Sequence, residues 1–165
     1  LMWLTLSRPN ESVQAEWVEF DLDKALWTIP ARRMKARREH VVPLPTQAVE
    51  LLKAMHPITG HTKFVFPNRD DRQRPMADAA LRQALKKLGW ATKYSPHGTR
   101  TTGSTRLNEM GYRPDAIEAQ LAHAEPNSVR RTYNHATYLE ERRAMMQDWA
   151  DKLNNWKSNA ATKLS

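Results

Sequence analysis

Three short segments, Trp17–Asp23 (WVEFDLD), Ala25–Pro30 (ALWTIP) and His40–Pro45 (HVVPLP), interrupt a chain whose apolar residues otherwise recur at helical spacing. Rich in β-branched and aromatic residues, they are expected to form three strands of one small antiparallel sheet. Between the last two lies ARRMKARRE, residues 31–39, a basic hairpin tip. Helices are expected for most of the remainder, with KFVFPN (residues 63–68) a brief extended piece and NRDDRQRP (residues 68–75) a polar loop. Leu1–Leu6 reads as a helix end, and Pro9 opens a second helix with Glu11 in its first turn. Thr46 caps a third, with Val49, Leu52 and Met55 on its apolar side. Ala80, Leu81, Ala84, Leu85 and Leu88 form a further run, closed by Gly89. Ser95 as N-cap and Pro96 at the first helical position open a helix that reaches Met110 and stops at Gly111. Short helices follow at Pro114–Leu121 and at Asn127–Tyr133. Thr137 and Glu140 form a capping box for a last helix. Leu139, Met146, Trp149 and Leu153 make its apolar stripe, with Glu141, Arg142 and Arg143 facing water. Residues 154–165 show no period and read as a tail, so residues 1–153 are expected to be one domain. The fold class is α+β, mostly α, with helices around a small three-stranded sheet.

Charge narrows the partner. The 165 residues carry a formal net charge of +8, and the sequence pI is about 10.0. A polyanion is the favoured partner, nucleic acid first and an acidic membrane surface second. No apolar run is long enough to span a bilayer, and no signal peptide is legible in the opening LMWLTL. The chain has no cysteine, which rules out disulfides and cysteine-ligated zinc. A cytoplasmic protein is expected. The abrupt apolar start, without an initiator methionine, suggests a piece of a longer protein.

The stretch SPHGTR places His97 and Arg100 three residues apart at a helix start, on one face of its first turns. Backbone N–H groups at such a start favour an anion and disfavour a protonated imidazole. His97 would then be neutral and able to accept a proton, and a phosphate is a natural guest. The alternative is that His97 caps the helix and Arg100 is a surface charge. His123, after an apolar QLA, and Tyr133, ten residues on near a helix end, each admit a structural role as well: a satisfied buried histidine, and a core or interface tyrosine. The basic run around Lys35 can equally be a solvated or DNA-tracking loop.

Taken in order, the arginine of SRPNE, the lysine of RRMKARREHVVPL, HGTR, QLAHA and the tyrosine of RRTYNH resemble the catalytic domain of the tyrosine recombinases, the phage-type integrases, and most closely those of prophages and genomic islands. VFPNR, LNEMGYRPDAIEAQLAH and YNHATYLEERRAMMQDWADKL extend the likeness from Leu1 to about Leu153. The resemblance implies a set of roles. Tyr133 is the nucleophile that forms a 3′-phosphotyrosine, and Arg8 and Arg100 clamp the non-bridging oxygens of the scissile phosphate. His123 donates a further hydrogen bond to that phosphate, and Lys35 protonates the departing 5′-oxygen. His97 assists proton transfer at the tyrosine, and Glu11 orients the arginines. It also implies no metal and no other cofactor, double-stranded DNA as partner, a homotetramer on DNA for the full-length protein, and work at the bacterial nucleoid. One departure is SVQAEW, where Ser12 and Val13 stand in place of a more usual leucine and arginine.

The chemistry asks for these residue types on its own account. Cleaving a phosphodiester builds charge on its equatorial and leaving oxygens, and forked guanidiniums match the former while staying charged. Each preorganised donor of this kind is worth ~2.7–4 kcal/mol. A tyrosine, with a pKa of about 10, needs nearby positive charge or a base to attack at neutral pH. Among the basic residues of the hairpin only Lys35 readily gives up a proton. Arg32, Arg33, Arg37, Arg38, Arg130 and Arg131 are expected to contact the phosphate backbone and hold register. Isolated, the chain is expected to be a monomer with a flexible tail. Three rivals are a type IB topoisomerase-like enzyme, a non-catalytic DNA-binding module, and a metal-dependent nuclease using His97 and His123. The last lacks a carboxylate placed to complete a ligand set.

Overall fold

The structure is a computed structural model that describes residues 1–123 and 138–162. Tyr133, Arg130, Arg131, Thr137 and the expected helix at Asn127–Tyr133 lie outside the described residues. Two short helices come first, α1 (Met2–Thr5) and α2 (Pro9–Val13), with Pro9 at the first position of α2 as its fixed φ favours. The strands β1 (Phe20–Asp21), β2 (Leu26–Ile29) and β3 (His40–Pro43) form one antiparallel sheet in the order β1-β2-β3. Trp27 pairs with Phe20 on one side and Val42 on the other. The first strand is shorter than expected, because Trp17–Glu19 coils into a 3-10 turn. That turn delivers the Glu19 carboxylate to the indole N–H of Trp27, which donates to it at 3.0 Å.

Five longer helices complete the described fold: α3 (Thr46–Thr59), α4 (Ala79–Lys87), α5 (Gly98–Glu109), α6 (Pro114–Gln120) and α7 (Leu139–Thr162). Gly111 ends α5 at φ 84, a left-handed conformation that glycine adopts without strain. Two cores result. Trp27, Ile29, Met34, Val42, Leu44, Ala48, Leu52 and Val65 pack the sheet against α3. Leu6, Leu107, Ile117, Leu121, Met145, Met146 and Trp149 join α1, α5, α6 and α7. The two apolar faces of the early elements thus bury against different partners, which is how a small sheet and a helical bundle share one chain.

Four local expectations are corrected. Ser95 is not the N-cap of α5: Ser95–His97 forms a turn, His97 is the cap, and Ser95 Oγ accepts from the Gly98 N–H at 3.3 Å. Thr46 is not a cap but the first residue of α3; its N–H and hydroxyl donate to Gln147 Oε1 of α7 at 2.9 and 3.1 Å. Residues 154–162 are not irregular, since α7 runs to Thr162. Trp156 lies two turns beyond Trp149 and meets it edge-on at 5.8 Å, so the apolar stripe takes one more step than the expectation allowed. Finally, Arg142 does not face water. It is 1% exposed, donating to Gln120 Oε1 and to the Val41 carbonyl at 3.0 and 2.8 Å. The apolar residues of α4, by contrast, find little cover, and Leu88 is 70% exposed. Among the described residues no helix is long and apolar enough to cross a membrane.

Candidate active site

Arg8 is the extended residue immediately before α2. Glu11, in the first turn of that helix and buried, reaches back to it twice: the Arg8 N–H donates to Oε2 at 2.7 Å and Nη1 to Oε1 at 2.8 Å. A carboxylate at that position satisfies a helix-terminal N–H and fixes the guanidinium in one step. Arg8 Nη2 also lies 3.5 Å from the Ala122 carbonyl, across the chain. The expected pairing of Glu11 with an arginine is therefore present in the geometry.

Arg100 enters from the first turn of α5. Its Nη1 donates to the Leu6 carbonyl at 2.6 Å and its Nη2 to the Leu121 carbonyl. The α5 backbone can come this close to Leu6 because residue 103 is glycine: a Cβ there would stand 2.4 Å from Leu6 Cδ2. Burial, and then the positive charge of Arg8, pull the Arg100 guanidinium down to about 10, with Glu11 and Glu118 opposing them. It is still charged at neutral pH. Two like charges held together in partial burial are costly, and an anion beside both offsets that cost.

Beside Arg100 opens a cleft of about 400 Å³ lined by His97, Arg100, Thr101, Ser104, Thr105, Leu121 and His123. His97 and Arg100 share its wall as their spacing predicts. His123 follows α6, after Ala122 turns the chain through a φ of 49. Its Nδ1 lies 2.5 Å from Glu118 Oε2, which leaves Nε2 for other partners. Burial of His123 is ruled out, since its side chain is 47% exposed. Residues Thr101, Ser104, Thr105 and Glu118 were missed in the sequence. The first three lie on the same face as His97 and Arg100, at helical spacing, so a polar stripe was there to be found. Among the described residues no group of three or more His, Asp or Glu could hold a metal ion.

The basic hairpin is placed differently. Lys35 and Arg37 are exposed on the turn between β2 and β3, Arg38 is half-buried, and Lys35 is not part of the cleft lining. Arg32 is largely exposed, with Nη2 3.4 Å from Glu16 Oε1. Arg33 points inward instead. It pairs with buried Glu19, and its Nη2 donates to the Glu11 carbonyl at 2.6 Å. Expected as a phosphate contact, it is internally engaged, because Glu19 would otherwise be a buried carboxylate with two neutral donors, the Trp27 indole and the Glu16 N–H, and no countercharge.

The phage integrase family model matches residues 1–140. The chain is 47% identical over 152 residues to the prophage integrase IntA of Escherichia coli K12, covering 91% of this chain and 37% of that protein. It is 42% identical over 169 residues to the integrase of Enterobacteria phage P4, covering 93% of this chain and 38% of that one. It therefore spans less than two-fifths of the length of these relatives. Among solved structures, the integrase from mycobacterium phage Brujita superposes with a TM-score of 0.67 at 20% identity, over 89% of this chain and 48% of that one. XerA recombinase gives a TM-score of 0.60 at 16% identity, over 80% and 53%. The mostly helical fold with one three-stranded antiparallel sheet is thus shared with recombinases, and the chain belongs to the phage integrase family.

Proposed function

We propose that this chain is the catalytic part of a site-specific DNA recombinase that breaks and rejoins DNA through a phosphotyrosine. The observation that carries the reading is the pair of guanidiniums, Arg8 and Arg100, each braced on backbone carbonyls, with His97 and His123 lining a cleft beside Arg100. Such a constellation suits a phosphodiester whose charge grows during cleavage. The names of the relatives, a prophage integrase and a phage integrase, support integration of a mobile element as the biological outcome, with excision as the same chemistry run on the integrated sites. A structural neighbour, the Tn1549 transposon integrase, is described in complex with transposon right end DNA, which supports duplex DNA as the partner.

In this reading the Tyr133 hydroxyl oxygen bonds to phosphorus as the bond from phosphorus to the 5′-oxygen breaks. Arg8, Arg100 and His123 hold the non-bridging oxygens, His97 assists removal of the phenolic proton, and Lys35 gives its proton to the 5′-oxygen. The phosphoester energy is kept in the protein–DNA link. A 5′-hydroxyl from the partner site then attacks phosphorus and expels the phenol, so no nucleotide cofactor and no metal ion take part. Exchange between two sites calls for a homotetramer on DNA, whereas the isolated chain is a monomer that binds weakly and with steep salt dependence. Arg32, Arg37, Arg38, Arg130 and Arg131 supply backbone contacts.

A nicked suicide substrate tests the reading. Tyr133→Phe is expected to abolish the covalent adduct while DNA binding survives, and EDTA is expected to leave cleavage by the wild type unchanged. An adduct that persists in Tyr133→Phe, or strict dependence on a divalent metal, would overturn it.

A further inference from the structure

Beneath the two arginines lies a buried polar cluster with no place in the mechanism above. Gln120, the last residue of α6, is 1% exposed. Its Nε2 donates to the Thr5 carbonyl at 2.8 Å, and its Oε1 accepts from Arg142 Nε at 3.0 Å. A carbonyl can only accept and a guanidinium can only donate, so both neighbours demand the same orientation of the amide. Its backbone carbonyl lies 3.1 Å from His40 Nε2. Arg142 completes the cluster through the Val41 carbonyl. Among the described residues Arg142 meets neutral acceptors and no carboxylate. Burial pulls its guanidinium down to about 10. Burying a guanidinium is costly, and its bonds to Gln120 and Val41 offset that cost.

The position of the bridge suggests its use. Thr5 and Gln120 each precede, by one residue, a carbonyl that holds Arg100: Leu6 accepts from Nη1 and Leu121 from Nη2. The bond from Gln120 to Thr5 therefore links the two segments that carry the acceptors. At both ends the chain then turns through a positive φ, 52 at Leu6 and 49 at Ala122, a conformation that side chains disfavour and that surrounding bonds must hold.

We propose that Gln120 is a positioning residue for Arg100, its amide tying together the two segments whose carbonyls grip that guanidinium, with Arg142 fixing the amide's orientation. This role rests on the recombinase reading above. Gln120→Glu separates it from packing. The carboxylate keeps the volume and the acceptor for Arg142 and adds an opposite charge, but it loses the donor to Thr5. In the intact protein that contains this chain, single-turnover adduct formation at saturating suicide substrate is expected to fall by roughly 10- to 100-fold, as a misplaced catalytic group does. DNA affinity should change by less than about threefold, because the loss falls on the transition state. In an Arg100→Lys background the same change should cost less than about threefold, since groups that act through one another are not additive. Arg142→Lys, which keeps the charge but loses the fork, should slow cleavage by more than about threefold in the wild-type background only. It serves as the test if Gln120→Glu does not fold. Wild-type adduct rates in these variants, or equal losses with and without Arg100, would overturn the positioning role while leaving the recombinase reading intact. A wild-type protein that forms no Tyr133-linked adduct would overturn that reading, and this role with it.

Discussion

Arg8 and Arg100 are gripped from behind by backbone carbonyls and Glu11, whereas Lys35 and Arg37 stand exposed on the turn between β2 and β3. Both regions are basic, but the expectations for them differ: Arg8 and Arg100 at the scissile phosphate, Lys35 at the departing 5′-oxygen and Arg37 along the DNA backbone. The first is held in place by bonds within the fold, so under the proposed function its reorganisation cost is met in folding, before DNA arrives. The second keeps its charges on solvated side chains, so ordering them costs entropy at the moment of binding. Under the proposed function, a charged group at the centre of a reaction and one that follows a DNA backbone are held by different means.

The sharpest way to break that comparison is Arg100→Lys. The charge is retained, but a single ammonium cannot reach the Leu6 and Leu121 carbonyls and the phosphate together. Adduct formation is expected to fall by roughly 100- to 1,000-fold in a single-turnover assay. A rate near the wild type would mean that charge alone suffices there, as it does on the turn.

Arg33 tests the boundary between the two regions, since it sits in the basic run yet is buried against Glu19. Arg33→Ala leaves that carboxylate in the interior with the indole of Trp27, and removes the donor to the Glu11 carbonyl. A loss of about 3–5 kcal/mol in unfolding free energy is expected from denaturant titration. Arg37→Ala, four residues on, should change stability by less than ~0.5 kcal/mol. It should lower the slope of log affinity against log salt by about one. Equal effects from the two would erase the distinction.

How much of this was open to view in the chain differs by residue. The sheet, the helices at Pro9 and Pro114 and the stop at Gly111 follow from β-branched segments and from proline and glycine chemistry, and were legible. His97 and Arg100 share a wall because three residues make nearly one helical turn, even though the helix begins later than Ser95. The burial of Arg33 and of Arg142 was not legible, for one reason. A guanidinium is solvated by default, and only a distant carboxylate or carbonyl, supplied by Glu19 in one case and by Gln120 and Val41 in the other, makes burial tolerable. None of these three partners is close in sequence.

A smaller, pH-dependent effect probes the helical side. The Tyr112 hydroxyl donates to Asp148 of α7. Burial first, and then the Asp148 carboxylate, push that phenol up to about 12. The folded value lies above the ordinary value near 10, so the unfolded chain releases this proton first. The contribution to stability is intact below pH 10 and is lost as the pH rises toward 12. Melting temperatures between those limits should fall less steeply in Tyr112→Phe than in the wild type.

The order and type of the elements, the net positive charge and the stripe of His97 and Arg100 were determined by the chain itself, because each depends on residues a few positions apart. The bracing of Arg100 between Leu6 and Leu121, the approach of Gly103 to Leu6 and the burial of Arg142 were decided only in three dimensions. Backbone carbonyls carry no residue-specific signature, and which of them become acceptors depends on packing between segments that are distant in sequence.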